Sequence, residues 1–275
     1  MKMMNDNDVG FAADTPGPAE IEAVLHEAAA AAAGVTLKLF RSGLAIDNKL
    51  QGGFDPVTEA DRGAELAIRA VIERHFPDHA IIGEEWDDKA SSSEHAWIVD
   101  PIDGTRAFIS GVPVWGTLIG LTSKGRAVAG MMAQPFTGET FFAVPGRALY
   151  RRGTTELKLR TSAVTELKRA RLTSTSPDMF EAGDLPPLWR RLRGSVLQAR
   201  YGLDCYGYCL LALGQIDLVV EPGLKQVDIA PLIPIIEAAG GVITDFDGNP
   251  AENGGNCIAA ATPQLHEAAL AVLGG

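Results

Sequence analysis

A change of hydrophobic period at Phe76-Pro77-Asp78 constrains this chain more than any other feature. Before it, apolar residues recur every three or four positions; after it they come in short runs bounded by turn residues. The first pattern belongs to amphipathic helices and the second to buried strands. Pro16 to Phe40 reads as one long helix, with Pro18 in its first turn and Ile21, Leu25, Ala28, Ala32 and Leu37 as its stripe. Glu59 to His75 reads as a second, carrying Ala64, Ile68, Val71 and Ile72, and the residues between Gly43 and Gly53 as a loop. Strands follow at Ala80–Gly83, Ala96–Val99, Val114–Leu121, Ala127–Ala133 and Thr140–Val144. The stretch Gly146–Thr155 holds Gly, Arg and Thr without periodicity, and the domain boundary is placed near it. We therefore expect a disordered start at 1–16, an N-terminal α+β domain at 17–150 and a C-terminal α/β domain at 151–275.

In the second half strands alternate with helices, the mark of a layered α/β arrangement. Strands are expected at Arg171–Ser174, Leu218–Glu221, Gly241–Thr244 and Cys257–Ala260. Helices are expected at Leu185–Arg193, Cys205–Leu213, Ile229–Ala239 and Pro263–Leu273.

Charge removes two classes of partner. With 24 Lys and Arg against 35 Asp and Glu, the formal net charge is −11, and no basic run offers a local exception. Nucleic acid and anionic membrane are both repelled. No stretch reaches the roughly 20 apolar residues of a membrane span, and the acidic first residues lack the features of a signal peptide. Cys205, Cys209 and Cys257 form no disulfide framework, so a soluble, cytoplasmic protein is expected.

The acid is not spread evenly. It gathers at the ends of elements in four segments: Asp55 to Asp61, Gly83-Glu84-Glu85, Asp100-Pro101-Ile102-Asp103-Gly104-Thr105, and Gln226-Val227-Asp228. In the third, Val99 ends a buried strand, so Asp100 emerges where open α/β folds put their sites. Ile102 can offer only its carbonyl, and Asp103 points back toward Asp100. Two carboxylates and a carbonyl are hard oxygen donors of the kind magnesium takes. The free amides of Gly104 and Thr105 suit a phosphate. Each segment also has a plainer role: Asp55 or Asp61 could cap the second helix, Asp228 the helix at Ile229, and Glu84-Glu85 could be a solvated loop. His75, His79 and His95 read as surface residues.

In this order and spacing the segments resemble the inositol monophosphatase family of metal-dependent phosphatases. The run from Asp100 to Thr105 carries the signature, with Val227-Asp228-Ile229-Ala230 and Glu237-Ala238-Ala239-Gly240-Gly241 as its companion. The resemblance implies a layered α-β-α-β-α sandwich, hydrolysis of a small-molecule phosphate ester, two or three Mg2+ ions and, as commonly in that family, a homodimer. It implies that Glu84, Asp100 and the Ile102 carbonyl hold one ion. Asp100, Asp103 and Asp228 hold a second, and Glu84 with Asp61 a weaker third. Thr105, hydrogen-bonded toward Glu84, would help activate water, with Gly104 and Thr105 gripping the phosphate.

Substrate choice is read from Asp204 and Glu221. Enzymes acting on inositol typically carry a small residue where this chain has Asp204. Two carboxylates aimed at the leaving group suit a cationic substrate. The runs Phe108–Ile119, Gly202–Tyr206 and Glu221–Lys225 are similar to the histidinol-phosphate phosphatase branch. That branch implies conversion of histidinol phosphate to histidinol and phosphate, a step of histidine biosynthesis. Val227 departs from the aromatic residue often found before the metal-binding Asp. Asp204 could instead cap the helix at Cys205. Alternatives within the same chemistry are an inositol monophosphatase and a 3′-nucleotide bisphosphate phosphatase; outside it stands a non-catalytic phosphate- or cation-binding protein on the same scaffold.

Overall fold

The computed structural model describes residues 16–43, 47–48 and 56–274. The expected disordered start, most of the loop after Gly43, and Asp55 lie outside the described residues. The helices are α1 (Pro18–Leu39), α2 (Glu59–His75), α3 (Thr105–Ile109), α4 (Leu185–Ser195), α5 (Asp204–Ala212), α6 (Gln226–Ile229), α7 (Ile233–Ala238) and α8 (Pro263–Gly274).

A short antiparallel pair, β1 (Asp47–Asn48) and β2 (Pro56–Val57), precedes two larger sheets. The first runs in spatial order β3 (Ala80–Gly83), β4 (His95–Asp103), β5 (Gly116–Ser123), β6 (Arg126–Gln134), β7 (Glu139–Val144), β8 (Arg147–Arg152) and β9 (Thr155–Lys158). Only its β3–β4 pair is parallel. The second sheet is built from β10 (Arg171–Ser174), β11 (Gln198–Tyr201), β12 (Leu218–Leu224), β13 (Val242–Asp245) and β14 (Gly255–Ala260). Its spatial order is β11-β10-β12-β14-β13.

Five layers result. The stripes of α1 and α2 bury Ile21, Leu25, Ile68 and Ile72 against Trp97, Val99, Ile119 and Phe142 of the first sheet. Between the sheets α5 and α7 form the middle layer, where Tyr208, Leu211, Ile233 and Ile236 pack with Phe141 and Val219. On the far face, Trp189 and Leu192 of α4 and Leu265, Ala269 and Leu273 of α8 cover Leu218, Val220 and Ile258. Each sheet is covered on both faces, which is why its strands read as near-continuous apolar runs. Among the described residues no helix is long and apolar enough to cross a membrane.

Three expectations need correction. Gly146–Thr155, read as lacking periodicity, is occupied by β8 and the start of β9. Arg147, Arg151 and Arg152 mask an alternation in which Ala148 and Tyr150 turn inward and are buried. The expected helix Ile229–Ala239 is split into α6 and α7, because Pro231 has no N–H to donate and Pro234 sits in the first turn of α7. His79 and His95 are buried, not on the surface. His79 stacks on Phe76 with ring centres 4.7 Å apart and accepts the Trp97 indole N–H at 3.1 Å; burial, with His95 nearby, pushes its imidazole down to about 4. His75 does reach the surface, where it pairs with Glu27. The edge strand β11 has no apolar run to announce it, its side chains being mostly exposed.

Candidate active site

The site forms where β4 leaves the first sheet. Along β4, Trp97 and Val99 turn toward α1 and α2, so Ile98 and Asp100 share the opposite face. Ile98 packs on Val227 and Ala230, flanking Asp228 in α6. The pleat thus aims Asp100 at the short helix that carries Asp228. The segment after Asp228 sits flush on the sheet because β6 offers Gly130 there; a Cβ at that position would lie 1.9 Å from the Pro231 carbonyl oxygen.

Past Asp100 the pairing of β4 with β5 slips, and the register resumes only at Asp103. Such a bulge re-aims side chains at a sheet margin. It is pinned twice: the Ile102 N–H donates to Asp100 Oδ1 at 3.0 Å, and the Thr117 hydroxyl to the Pro101 carbonyl at 2.8 Å. Gly104 then takes φ 82°, a left-handed turn that opens α3. Phe108 and Trp115, packed edge to face at 4.9 Å, anchor that helix against Phe40.

Asp100, Asp103 and Asp228 bring carboxylate oxygens within 4.8 Å of one another. This set fits a divalent cation. All the donors are hard oxygens, and the span suits magnesium's short metal–oxygen distances. Burial, and then the neighbouring charges of Glu84, Asp103, Asp228 and Asp61, hold the Asp100 carboxyl well above the usual range. Asp103 is raised likewise, by burial and by Asp204 and Asp228. Carboxylates that oppose one another's ionisation are what a bound cation relieves.

Asp100, Asp103 and Asp228 line one open cleft of about 330 Å3 together with Glu84, Ile102, Gly104, Thr105 and Asp204. Glu84 pairs with Lys225, Nζ to Oε1 at 2.9 Å. Asp61 stands behind the cleft wall. It does not cap α2 itself: Thr58 is the N-cap, and Asp61 accepts the Thr58 N–H at 2.8 Å and hydroxyl at 2.6 Å. Burial raises its carboxyl against the pull of those bonds. The Thr105 hydroxyl does not bond toward Glu84 as expected. It points to the Ile102 carbonyl at 3.1 Å and, more loosely, to Asp61 Oδ1 at 3.5 Å, because the tight turn at Gly104 folds Thr105 back over the bulge.

A deeper recess of about 120 Å3 continues from the cleft, lined by Asp103, Asp204, Cys205, Tyr208 and Glu221 among others. Asp204 is the first residue of α5 with φ 46°, and the N-cap residue Leu203 makes no side-chain bond to that helix. The Cys205 N–H goes instead to Asp103 Oδ1 at 2.9 Å, so the capping role considered for Asp204 falls to Asp103. Asp204 lies close against the turn at Gly104: a Cβ on Gly104 would be 3.1 Å from the Asp204 Cβ. Burial pushes the Asp204 carboxyl up to about 6, with Arg106 pulling the other way.

Glu221 is buried and accepts the Thr175 N–H at 2.6 Å. Burial lifts its carboxyl to about 7, the Thr175 bonds opposing. The folded protein therefore holds that proton more tightly than the unfolded chain. The associated stability is full below about pH 4.5 and is lost as pH rises through about 7, on the order of 3 kcal/mol in all. In metal-free protein the melting temperature should fall from pH 5 to pH 8, and Glu221→Gln should flatten that fall by several degrees. Parallel slopes in a melting series would refute the assignment.

One pair escaped sequence reasoning. Glu65 of α2 is fully buried; its Oε2 accepts the Glu85 N–H and its Oε1 the Arg69 Nε–H, both at 2.8 Å. Arg69 also donates to the Trp86 carbonyl at 3.2 Å. The turn bearing Glu84 is thus clamped from behind. A charged residue within the apolar stripe of α2, four before an arginine, was the available signal.

The comparisons with known proteins agree with this geometry. The sequence profile of the "Inositol monophosphatase family" matches residues 18–274. The bifunctional phosphatase IMPL2 of Arabidopsis thaliana, a chloroplastic protein, is 39% identical over 259 residues, covering 90% of this chain and 73% of its own length. A histidinol-phosphatase of Streptomyces coelicolor is 34% identical over 256 residues, 90% of this chain and 94% of that protein. The Nus factor SuhB of Haemophilus influenzae is 33% identical over 247 residues, 87% and 91%. Among solved structures, an inositol monophosphatase from Zymomonas mobilis superposes with a TM-score of 0.83 at 38% identity, covering 95% of this chain and all of that one. Every helix and larger-sheet strand named above, and every carboxylate around the cleft, lies inside the profile match, and the chain belongs to the inositol monophosphatase family of phosphatases.

Proposed function

We propose that this phosphatase is a magnesium-dependent histidinol-phosphatase, releasing histidinol and phosphate. The observation that carries the substrate is the recess in which Asp204 and Glu221 stand together beside Asp103. An amine and an imidazole would offset the burial of those two carboxyls; the neutral hydroxyls of inositol would not. Relatives named histidinol-phosphatase at 34% identity support the reading.

In this reading Glu84, Asp100 and the Ile102 carbonyl hold one Mg2+, Asp100, Asp103 and Asp228 a second, and Asp61 with Glu84 a third. Mg2+ bound there would supply the acidification of a water and the neutralisation of charge on the ester oxygens. The chain does the rest. Thr105, steadied by the Ile102 carbonyl and Asp61, orients the attacking water. Gly104 and Thr105 receive the phosphate, and Asp204 and Glu221 grip the cationic leaving group so that attack is in line.

Phosphate release from histidinol phosphate, inositol 1-phosphate and adenosine 3′,5′-bisphosphate, with magnesium and with EDTA, tests this directly. Asp204→Asn, which tolerates the left-handed backbone, should raise KM for histidinol phosphate by about tenfold or more and leave glycerol 2-phosphate unchanged. Equal losses on both esters would reduce Asp204 to a structural residue. Preference for inositol 1-phosphate would favour the second reading, which the similarity to the Zymomonas mobilis inositol monophosphatase supports.

A further inference from the structure

Lys225 is the residue near the cleft whose chemistry the proposed reaction leaves unused. It follows β12 in the second sheet, whereas its partner Glu84 follows β3 in the first. Its side chain, 57% exposed, reaches across the opening to place Nζ 2.9 Å from Glu84 Oε1. Its root is fixed, because the Lys225 N–H donates to Asp228 Oδ2 at 2.7 Å. A compact ammonium on a flexible four-carbon stem thus hangs from a point tied to the acidic cluster.

The cleft makes that cation consequential. Its lining brings together the carboxyls of Glu84, Asp100, Asp103, Asp204 and Asp228, and among the described residues only Arg106 and Lys225 supply fixed positive charge there. Arg106 acts on Asp204, whose carboxyl it pulls down. An incoming phosphate dianion faces these carboxylates as well as any bound ions, so a mobile cation at the mouth, near Gly104 and Thr105, favours its entry. Lys225 lines the same opening as those two residues.

We infer that Lys225 has two stations: it neutralises Glu84 while no divalent ion holds that carboxylate, and it moves to the substrate phosphate once one does. This rests on the metal-dependent phosphatase reading above. An ammonium and a doubly charged ion repel each other at a shared carboxylate, and the ion, with more charge and more donors, keeps the place. The displaced ammonium then finds the phosphate oxygens as a further anion in the same opening.

Calorimetric titration of Mg2+ without phosphate, followed by titration of inorganic phosphate into Mg2+-loaded protein, tests this in wild type, Lys225→Met and Lys225→Arg. The methionine variant should bind Mg2+ about two- to fivefold more tightly, the scale of an exposed ion pair removed. Loaded with Mg2+, it should bind phosphate about tenfold more weakly. The arginine variant should return both values toward wild type. Unchanged affinities in Lys225→Met, or weaker Mg2+ binding, would overturn the two-station role and leave the metal-dependent reading standing. A wild-type protein that binds no divalent ion would end both.

Discussion

Asp100→Asn should lower kcat by at least about a thousandfold and leave the metal-free protein as stable as wild type, or more so. The two halves of that expectation share a cause. Asp100 is 2% exposed and surrounded by Glu84, Asp103, Asp228 and Asp61. Without a cation its negative charge is a burden on the fold, and asparagine removes it while keeping an oxygen for the Ile102 N–H. The same change removes a carboxylate on which both proposed ions would draw. Melting curves with EDTA and with magnesium separate the effects: magnesium should raise the melting temperature of wild type more than that of the variant. Near-normal turnover would dispose of the cage, and a collapsed fold would mean that Asp100 holds the bulge in place.

The second large effect is expected far from any substrate. Glu65→Ala should destabilise the protein by about 3–5 kcal/mol, because it strands the Arg69 guanidinium, whose side chain is 11% exposed, and orphans the Glu85 N–H. That corresponds to roughly 10 °C or more in melting temperature for a chain of this size. Turnover should fall as well, since the turn that presents Glu84 loses its anchor. Glu65→Gln keeps an acceptor for the Glu85 N–H and should recover much of the activity at an intermediate melting temperature. An alanine variant with full turnover and an unshifted melt would reduce the clamp to an accident of packing.

How much of this could be read from residues alone depended on the range of the interaction. Strands β4 to β7 announced themselves, since both faces are buried and their middles are near-continuous apolar runs. The run from Asp100 to Thr105 stood out because its carboxylates, carbonyl and glycine turn are consecutive in sequence. Features that join distant segments did not. Nothing local to Asp204 says that the cap it could provide at α5 is supplied from Asp103, 102 residues earlier. Nothing near Thr105 says that its hydroxyl prefers Ile102 and Asp61 to Glu84. His79 and His95 each follow an acidic residue in the chain, and packing takes them out of water: His79 stacks on Phe76, and His95 lies against His79.

The bond from the Cys205 amide to Asp103 bears on how this pocket could change its substrate over time. A carboxylate left to itself rotates freely and must be stilled when an ion arrives. Here the start of α5 has already stilled it, so part of the entropy of assembling the reaction centre is met when the chain folds. On the proposed function, the helix that selects the leaving group would therefore also be a jig for the chemistry. New specificities are free to arise at the Asp204 side chain, but an insertion, deletion or proline that shifts the Cys205 amide would loosen the reaction centre along with the choice of substrate.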